Sequence, residues 1–194
     1  MTPERETKFR KVIAHRQPDL TVVFENVHDP HNISAVLRSC DSVGVKEVFI
    51  INNASQRFSK LGKKSSSSAS KWIDINFYSS VEECFTEVKK KYKNIFGTRL
   101  TAESKSLYEL NLTESTALVF GNEKSGISDE ASAHCTKNFL IPQVGMIESL
   151  NISVACAVSL YEAFRQRQMR GNYASPMMSE AEINVMMHKW CSLK

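Results

Sequence analysis

Three short stretches concentrate side chains able to do chemistry. In the first, Asn32 and Arg38 stand six residues apart at the start of a segment that carries Ala35, Val36, Leu37 and Cys40. An arginine in such company is either an ion-pair partner or a reader of anions. Six residues is about one and two-thirds helical turns, so the pair need not share a face. The second stretch is Gly121-Asn122-Glu123-Lys124-Ser125-Gly126, directly after an apolar run. Its glycines allow tight turns and close ligand approach, its amides can hold a carboxylate or a sugar hydroxyl, and Glu123 is a candidate acid, base or positioning group. The third is Ile141 to Arg167, IPQVGMIESLNISVACAVSLYEAFRQR. Here a glycine loop and a polar cluster of Glu148, Ser149 and Asn151 open onto a long segment that is apolar on almost every side. Ser149 and Asn151 are also good helix caps, so capping is the plainer reading of each.

These groups have to be held by a scaffold, and its outline is readable. Thr2-Pro3-Glu4 opens a helix running to about Arg16. Apolar strands are predicted at 21–26, 45–51, 72–78, 94–98, 116–120 and 138–141. Helices fall between them: 33–43 capped by Asn32 and closed by Gly44, one from Ser80 to about Lys93, a short one from Ser128, and 151–167. Ser179 and Glu182 form a capping-box pattern for a last amphipathic helix. Most strands are continuous apolar runs and alternate with helices, which predicts an α/β fold, a mostly parallel sheet covered by helices on both faces. Such sheets bind ligands beyond the carboxyl ends of their strands, which points to the segments after Asn26, Thr98, Phe120 and Ile141. In the long helix, Val154, Ala157, Val158 and Tyr161 form one stripe while Ile152, Ala155, Ser159 and Phe164 cover others. That distribution predicts packing on the sheet on one side and on another subunit on the other.

Composition sets further bounds. A chain of 194 residues suits a single domain, 1–194, and no apolar run approaches the roughly 20 residues of a membrane span. The first residues lack the apolar core of a signal peptide, so the expectation is a soluble, cytoplasmic protein with no membrane partner. Five cysteines, none spaced as CxxC, read as reduced thiols. His28 and His31 flank Asp29 without a further ligand cluster, so no metal is expected. Neither GxxxxGK[ST] nor an early GxGxxG is present, which excludes a P-loop and argues against a dinucleotide fold. Net charge is only +4, with a pI near 8.8. Basic residues cluster around Arg10 and Arg16, from Arg57 to Lys71 with Lys60, Lys63 and Lys64, at Lys89–Lys93, and around Arg167. The Arg57–Lys71 loop is also rich in serine, a combination suited to phosphate contacts.

The three chemical stretches, in this order, resemble the three motifs of the SpoU, or TrmH, group of SPOUT RNA methyltransferases. They read here as NISAVLR (32–38), LVFGNEKSGIS (118–128) and IPQVGMIESLNISVACAV (141–158). The likeness extends to AHRQPDLTV at 14–22 and covers most of the chain. It implies methyl transfer from S-adenosylmethionine to a ribose 2′-hydroxyl of RNA, most similarly to members acting on guanosine 18 of the tRNA D-loop. Action on ribosomal RNA, or a catalytically silent RNA-binding protein, are the alternatives. It implies a C-terminal deep trefoil knot, which general topology rules argue against, and a homodimer. Helical extensions at about 1–17 and 170–194 would bind tRNA. By motif, Arg38 would be the catalytic arginine and Asn32 would position it or a substrate phosphate, with Glu123, Ser149 and Asn151 completing the site. The cofactor would be held near Thr98, Gly121, Ile141 and Leu150, chiefly by backbone groups. RNA contacts would come from Arg10, Arg16, Lys60, Lys63, Lys64 and Arg167. Two positions depart from the pattern: Ser34 and Lys124 stand where glycine is usual.

Overall fold

The computed structural model describes residues 2–52, 69–122, 124–147 and 149–193. Helix α1 (Pro3–Ala14) is capped by the Thr2 side chain. The body then alternates β1 (Leu20–Glu25), α2 (Pro30–Ser42), β2 (Glu47–Ile51), β3 (Asp74–Tyr78), α3 (Val81–Lys91), β4 (Asn94–Thr98), β5 (Lys105–Ser106), β6 (Thr116–Phe120), α4 (Asp129–Ala133), β7 (Lys137–Leu140) and α5 (Ile152–Arg170), and α6 (Glu180–Cys191) ends the chain. The seven strands among the described residues form one sheet in the order β3-β2-β1-β6-β4-β7-β5. Every pairing in it is parallel.

Because the sheet is parallel and side chains alternate, each apolar strand feeds two cores. Leu20, Val22 and Phe24 join Val48, Ile50, Leu118, Phe120 and Phe139 under α2 and α5. Val23 joins Phe49, Ile51, Ala117 and Val119 under α3 and α4. Parallel pairing also brings the carboxyl ends of the strands to one edge. Strand β6 inserts between the earlier β1 and β4, and β7 between the earlier β4 and β5. The late strands are therefore threaded into the sheet rather than added at its rim.

Helix α2 starts earlier than expected. Asp29, not Asn32, is its N-cap, accepting from the His31 amide, and Pro30 takes the first turn, where its missing N–H costs nothing. Asn32 is thereby released from capping. Gly44 follows the helix at φ +84°, with the left-handed backbone expected of a glycine there. Helix α5 runs past Arg167 and stops at left-handed Gly171. The short β5 and the 3-10 turn Leu107–Glu109 were not foreseen.

Helices α1 and α6 build a third cluster of their own, with Phe9, Ile13, Ile183, Met186, Met187 and Trp190 against half-buried Trp72. Arg16 is one of its links to the body, beside the Lys189–Asp74 ion pair. That guanidinium donates to the Val45 carbonyl at 2.9 Å, to Asp41 at 2.5 Å and to the Trp72 carbonyl at 3.2 Å. It also lies 5.1 Å over the Trp190 ring.

Candidate active site

The site lies at the carboxyl ends of β4 and β7. A cavity of about 500 Å³ opens there. Thr98, Phe139, Ile141, Gly145, Ser149 and Leu150 are among the residues lining it. Three of the four expected cofactor residues, Thr98, Ile141 and Leu150, thus line one cavity. The Thr98 hydroxyl donates to the Val119 carbonyl at 3.0 Å, locking the end of β4 to β6. Gly121 is placed differently. A Cβ there would come within 2.0 Å of the Gly126 backbone, so only glycine fits where residues 121 and 126 meet. That loop is pinned by Asn122, whose amide and carbonyl exchange hydrogen bonds with Gly126. The Asn122 side chain donates to the Asn26 carbonyl at 2.9 Å and accepts from the Lys124 amide at 2.9 Å. Asn26 holds φ +52°, a left-handed conformation that asparagine tolerates better than most residues. Buried Glu25 accepts from the Ser128 amide at 2.8 Å, fixing the far end of the same loop to β1. Sequence reasoning missed Asn122 and Glu25 as organisers. The available signal was a polar residue at the end of each apolar run.

The catalytic candidates arrive from two helices. Asn151 caps α5, its side chain accepting from the Ser153 amide at 2.9 Å. Its amide nitrogen donates to Asn32 Oδ1 at 3.2 Å, joining residues 119 apart in sequence. The first and third motifs therefore meet through side chains. Ser149 lines the cavity rather than capping the helix. Arg38 stands on the exposed side of α2 with Ala35 and Ser42. The Tyr161 hydroxyl of α5 reaches Ser42 Oγ at 3.3 Å, so the outer faces of α2 and α5 adjoin. Glu123, Lys60, Lys63 and Lys64 lie outside the described residues.

Two expected RNA contacts are corrected. Arg16 and Arg167 are both 0% exposed. Arg167 donates to the carbonyls of Leu112 (2.9 Å) and Glu114 (2.7 Å) and to the side chains of Gln17 (3.0 Å) and Asp19 (2.6 Å). A guanidinium with its donors spent on buried carbonyls and a carboxylate is an internal staple, and phosphate cannot reach it. Arg10 stays at the surface, ion-paired with Glu180 at 2.5 Å.

S-adenosylmethionine carries a planar aromatic base with apolar faces and several polar groups. The cavity offers apolar walls beside the 141–150 loop, in which, among the described residues, the amides of Gly145 and Leu150 make no backbone–backbone hydrogen bond. The residues present fit such a group. Among the described residues no cluster of His, Cys, Asp or Glu suits a metal. The Cys135 thiol, which lies against Gly97, is pushed up to about 12, by burial first and the nearby Glu25 second, which leaves it protonated.

A parallel sheet with late-threaded strands, a cavity at its carboxyl edge and a polar bridge between two helix starts define an α/β ligand-binding enzyme fold. Residues 19–161 match the model of the SpoU rRNA Methylase family, and the chain belongs to that family. It is 38% identical to the tRNA (guanosine(18)-2'-O)-methyltransferase of Thermus thermophilus, over 97% of this chain and 96% of that one. Among solved structures, the TrmH/SpoU tRNA modifying enzyme of Aquifex aeolicus superposes with a TM-score of 0.90 at 36% identity, covering 98% of each chain. The SpoU methyltransferase AviRb of Streptomyces viridochromogenes, in complex with AdoMet, has a TM-score of 0.71 at 26% identity, over 81% of this chain and 64% of that one.

Proposed function

We propose that the protein is a tRNA ribose 2′-O-methyltransferase that uses S-adenosylmethionine and acts on guanosine 18 of the D-loop. The observation that carries this reading is the Asn151–Asn32 bond, which sets the polar starts of α2 and α5 together next to the cavity lined by Ile141, Ser149 and Leu150. The near full-length likeness to a relative named for guanosine 18 supports the substrate.

When bound, S-adenosylmethionine supplies a methyl group already activated by its sulfonium. The protein's task is the other reactant, since a ribose hydroxyl is a weak nucleophile that needs a base or electrostatic help. Arginine stays protonated up to a pKa of about 12.5–13.8 and is a poor base. Arg38 therefore stabilises the alkoxide as it forms, and the proton passes to a phosphate of the RNA. Asn32, held by Asn151, orients the ribose or its phosphate. Thr98, Ile141, Ser149 and Leu150 hold the cofactor, with Gly121 keeping the neighbouring loop closed and Glu123 completing the site. The reaction so written uses no metal.

The working unit in this reading is a homodimer. Val154 and Tyr161, two turns apart on α5, are 47% and 52% exposed, which supports that face of the helix as the contact between copies. The threading of β7 between β4 and β5 supports the deep trefoil knot implied by the family. Helices α1 and α6, carrying Arg10, form the tRNA-binding extensions of the single domain. Work on tRNA would place the protein in the cytoplasm, and no helix among the described residues is long and apolar enough to cross a membrane.

The test is transfer of labelled methyl from S-adenosylmethionine to unmodified tRNA by wild type and by Arg38→Ala. Wild type should methylate. The variant should bind cofactor as before yet lose turnover by at least about 100-fold, the scale of deleting one preorganised charge-stabilising group. An Arg38→Ala protein that turns over normally would remove Arg38 from the mechanism.

A further inference from the structure

Both tryptophans of the chain stand in the wall of a second cavity, of about 450 Å³, set between α1, α6 and the far end of α2. Phe9, Trp72 and Trp190 form its aromatic side, Arg5 and Lys8 its basic side, and Asp41 an acidic point. The three rings meet edge to face. Trp72 and Trp190 lie 5.0 Å apart at 63°, Phe9 and Trp72 5.4 Å at 61°, and Phe9 and Trp190 5.6 Å at 85°. Trp72 is half-buried, so part of its indole stays open to a planar ring. Arg5 already sits 5.1 Å over the Phe9 ring. Buried Arg16 fixes two walls at once, bonding Asp41 at 2.5 Å and lying 5.1 Å over Trp190. The Asp41 side chain is still 35% exposed, and a carboxylate that accepts one bond keeps further lone pairs.

We propose that this cavity is a subsite for a guanine nucleotide, free or as an unstacked residue of an RNA strand. The base stacks on Trp72, its adjacent N–H donors meet the Asp41 carboxylate, and its phosphate meets Arg5 and Lys8. Stacking on an aromatic face takes any base. The carboxylate supplies the choice, because guanine alone presents neighbouring ring and exocyclic N–H donors on its Watson–Crick edge, and uracil would turn carbonyls toward it. Asp41 lies three residues past Arg38 on α2, so one rigid helix joins the subsite to the reacting groups. The strand-borne form of the proposal rests on the RNA substrate proposed above.

Tryptophan fluorescence reports on this cavity directly, since both fluorophores line it. The full-length protein is titrated with GMP, UMP, inorganic phosphate, a short single-stranded RNA containing one guanine, and its all-uridine counterpart. Saturable quenching by a guanine probe is expected, at least about fivefold tighter than its uridine match, the low end of what a paired base contact discriminates. Phosphate alone should leave the signal unchanged. The double variant Arg5→Ala/Lys8→Ala, altered only at exposed positions, should bind the guanine probes more weakly with an unchanged circular dichroism spectrum. A response to GMP alone assigns the subsite to free nucleotide, and a response to the guanine RNA alone assigns it to a strand. No saturable response to either guanine probe, or uridine probes binding as tightly, overturns the proposal. Methyl transfer to tRNA is measured on the same preparation. Transfer with no fluorescence response removes the subsite and leaves the enzyme reading standing, whereas a guanine response without transfer does the reverse.

Discussion

Asn151 carries two loads that a single substitution can separate. Its side-chain oxygen caps α5 through the Ser153 amide, and its nitrogen donates to Asn32. Replacement by aspartate keeps an oxygen cap and removes the donor. Asn151→Asp should therefore retain the melting temperature of wild type while losing methyl transfer, whereas Asn151→Ala should also lose about 1 kcal/mol of stability with the cap. Thermal melts beside activity assays check both. If the aspartate variant transfers methyl at the wild-type rate, the Asn151–Asn32 bond has no part in the reaction. At this scale the sequence was readable where a rule applied. Strand-end logic located Thr98 and Ile141, and cap chemistry located Asn151. The Asn32 contact was legible only through the resemblance, because no periodicity links residues 119 apart. Why position 121 must be glycine was not legible either, because the Gly126 backbone that a Cβ would strike is brought there only when the chain closes.

Helix α5 shows how an element's environment overrides its residue types. Arg167 and Arg165 both sit near its basic end in sequence, yet Arg165 is exposed and holds Glu162 at 2.8 Å while Arg167 is sealed against the 112–114 segment and Asp19. The Arg165 guanidinium holds the Glu162 carboxyl below its usual range, helped by Gln166 and opposed by burial. Charge alone cannot tell a solvated face from a staple, and the partners of Arg167 lie more than fifty residues away. Arg167→Leu should leave the Asp19 carboxylate and several carbonyls unpaired and cost about 3–5 kcal/mol, the usual penalty for breaking a buried pair from one side. Denaturant unfolding measures this. A variant of unchanged stability but weakened tRNA binding would return Arg167 to the RNA-binding surface. Long apolar strands were legible because their cores demand them. The two-residue β5 was not, since so short a strand has no period to read.

For the molecule as a whole, the sheet, its covering on both faces and the terminal helices follow from the apolar pattern, while the strand order does not. Threading β6 and β7 between earlier strands depends on late, non-local pairing that no local rule encodes. The apolar outer face of α5, next to Arg38's side of α2, is where the proposed second copy would sit. Tyr161→Asp places a charge in that face. Sedimentation should then report a monomer with methyl transfer lost, and a dimeric, active Tyr161→Asp protein would place the interface elsewhere. The central claim concerns the nucleotide that receives the methyl group. Mass-spectrometric mapping of unmodified tRNA after incubation with the protein and S-adenosylmethionine should find one new 2′-O-methyl group, on guanosine 18. Methylation confined to ribosomal RNA, or no methyl at that guanosine, would contradict it.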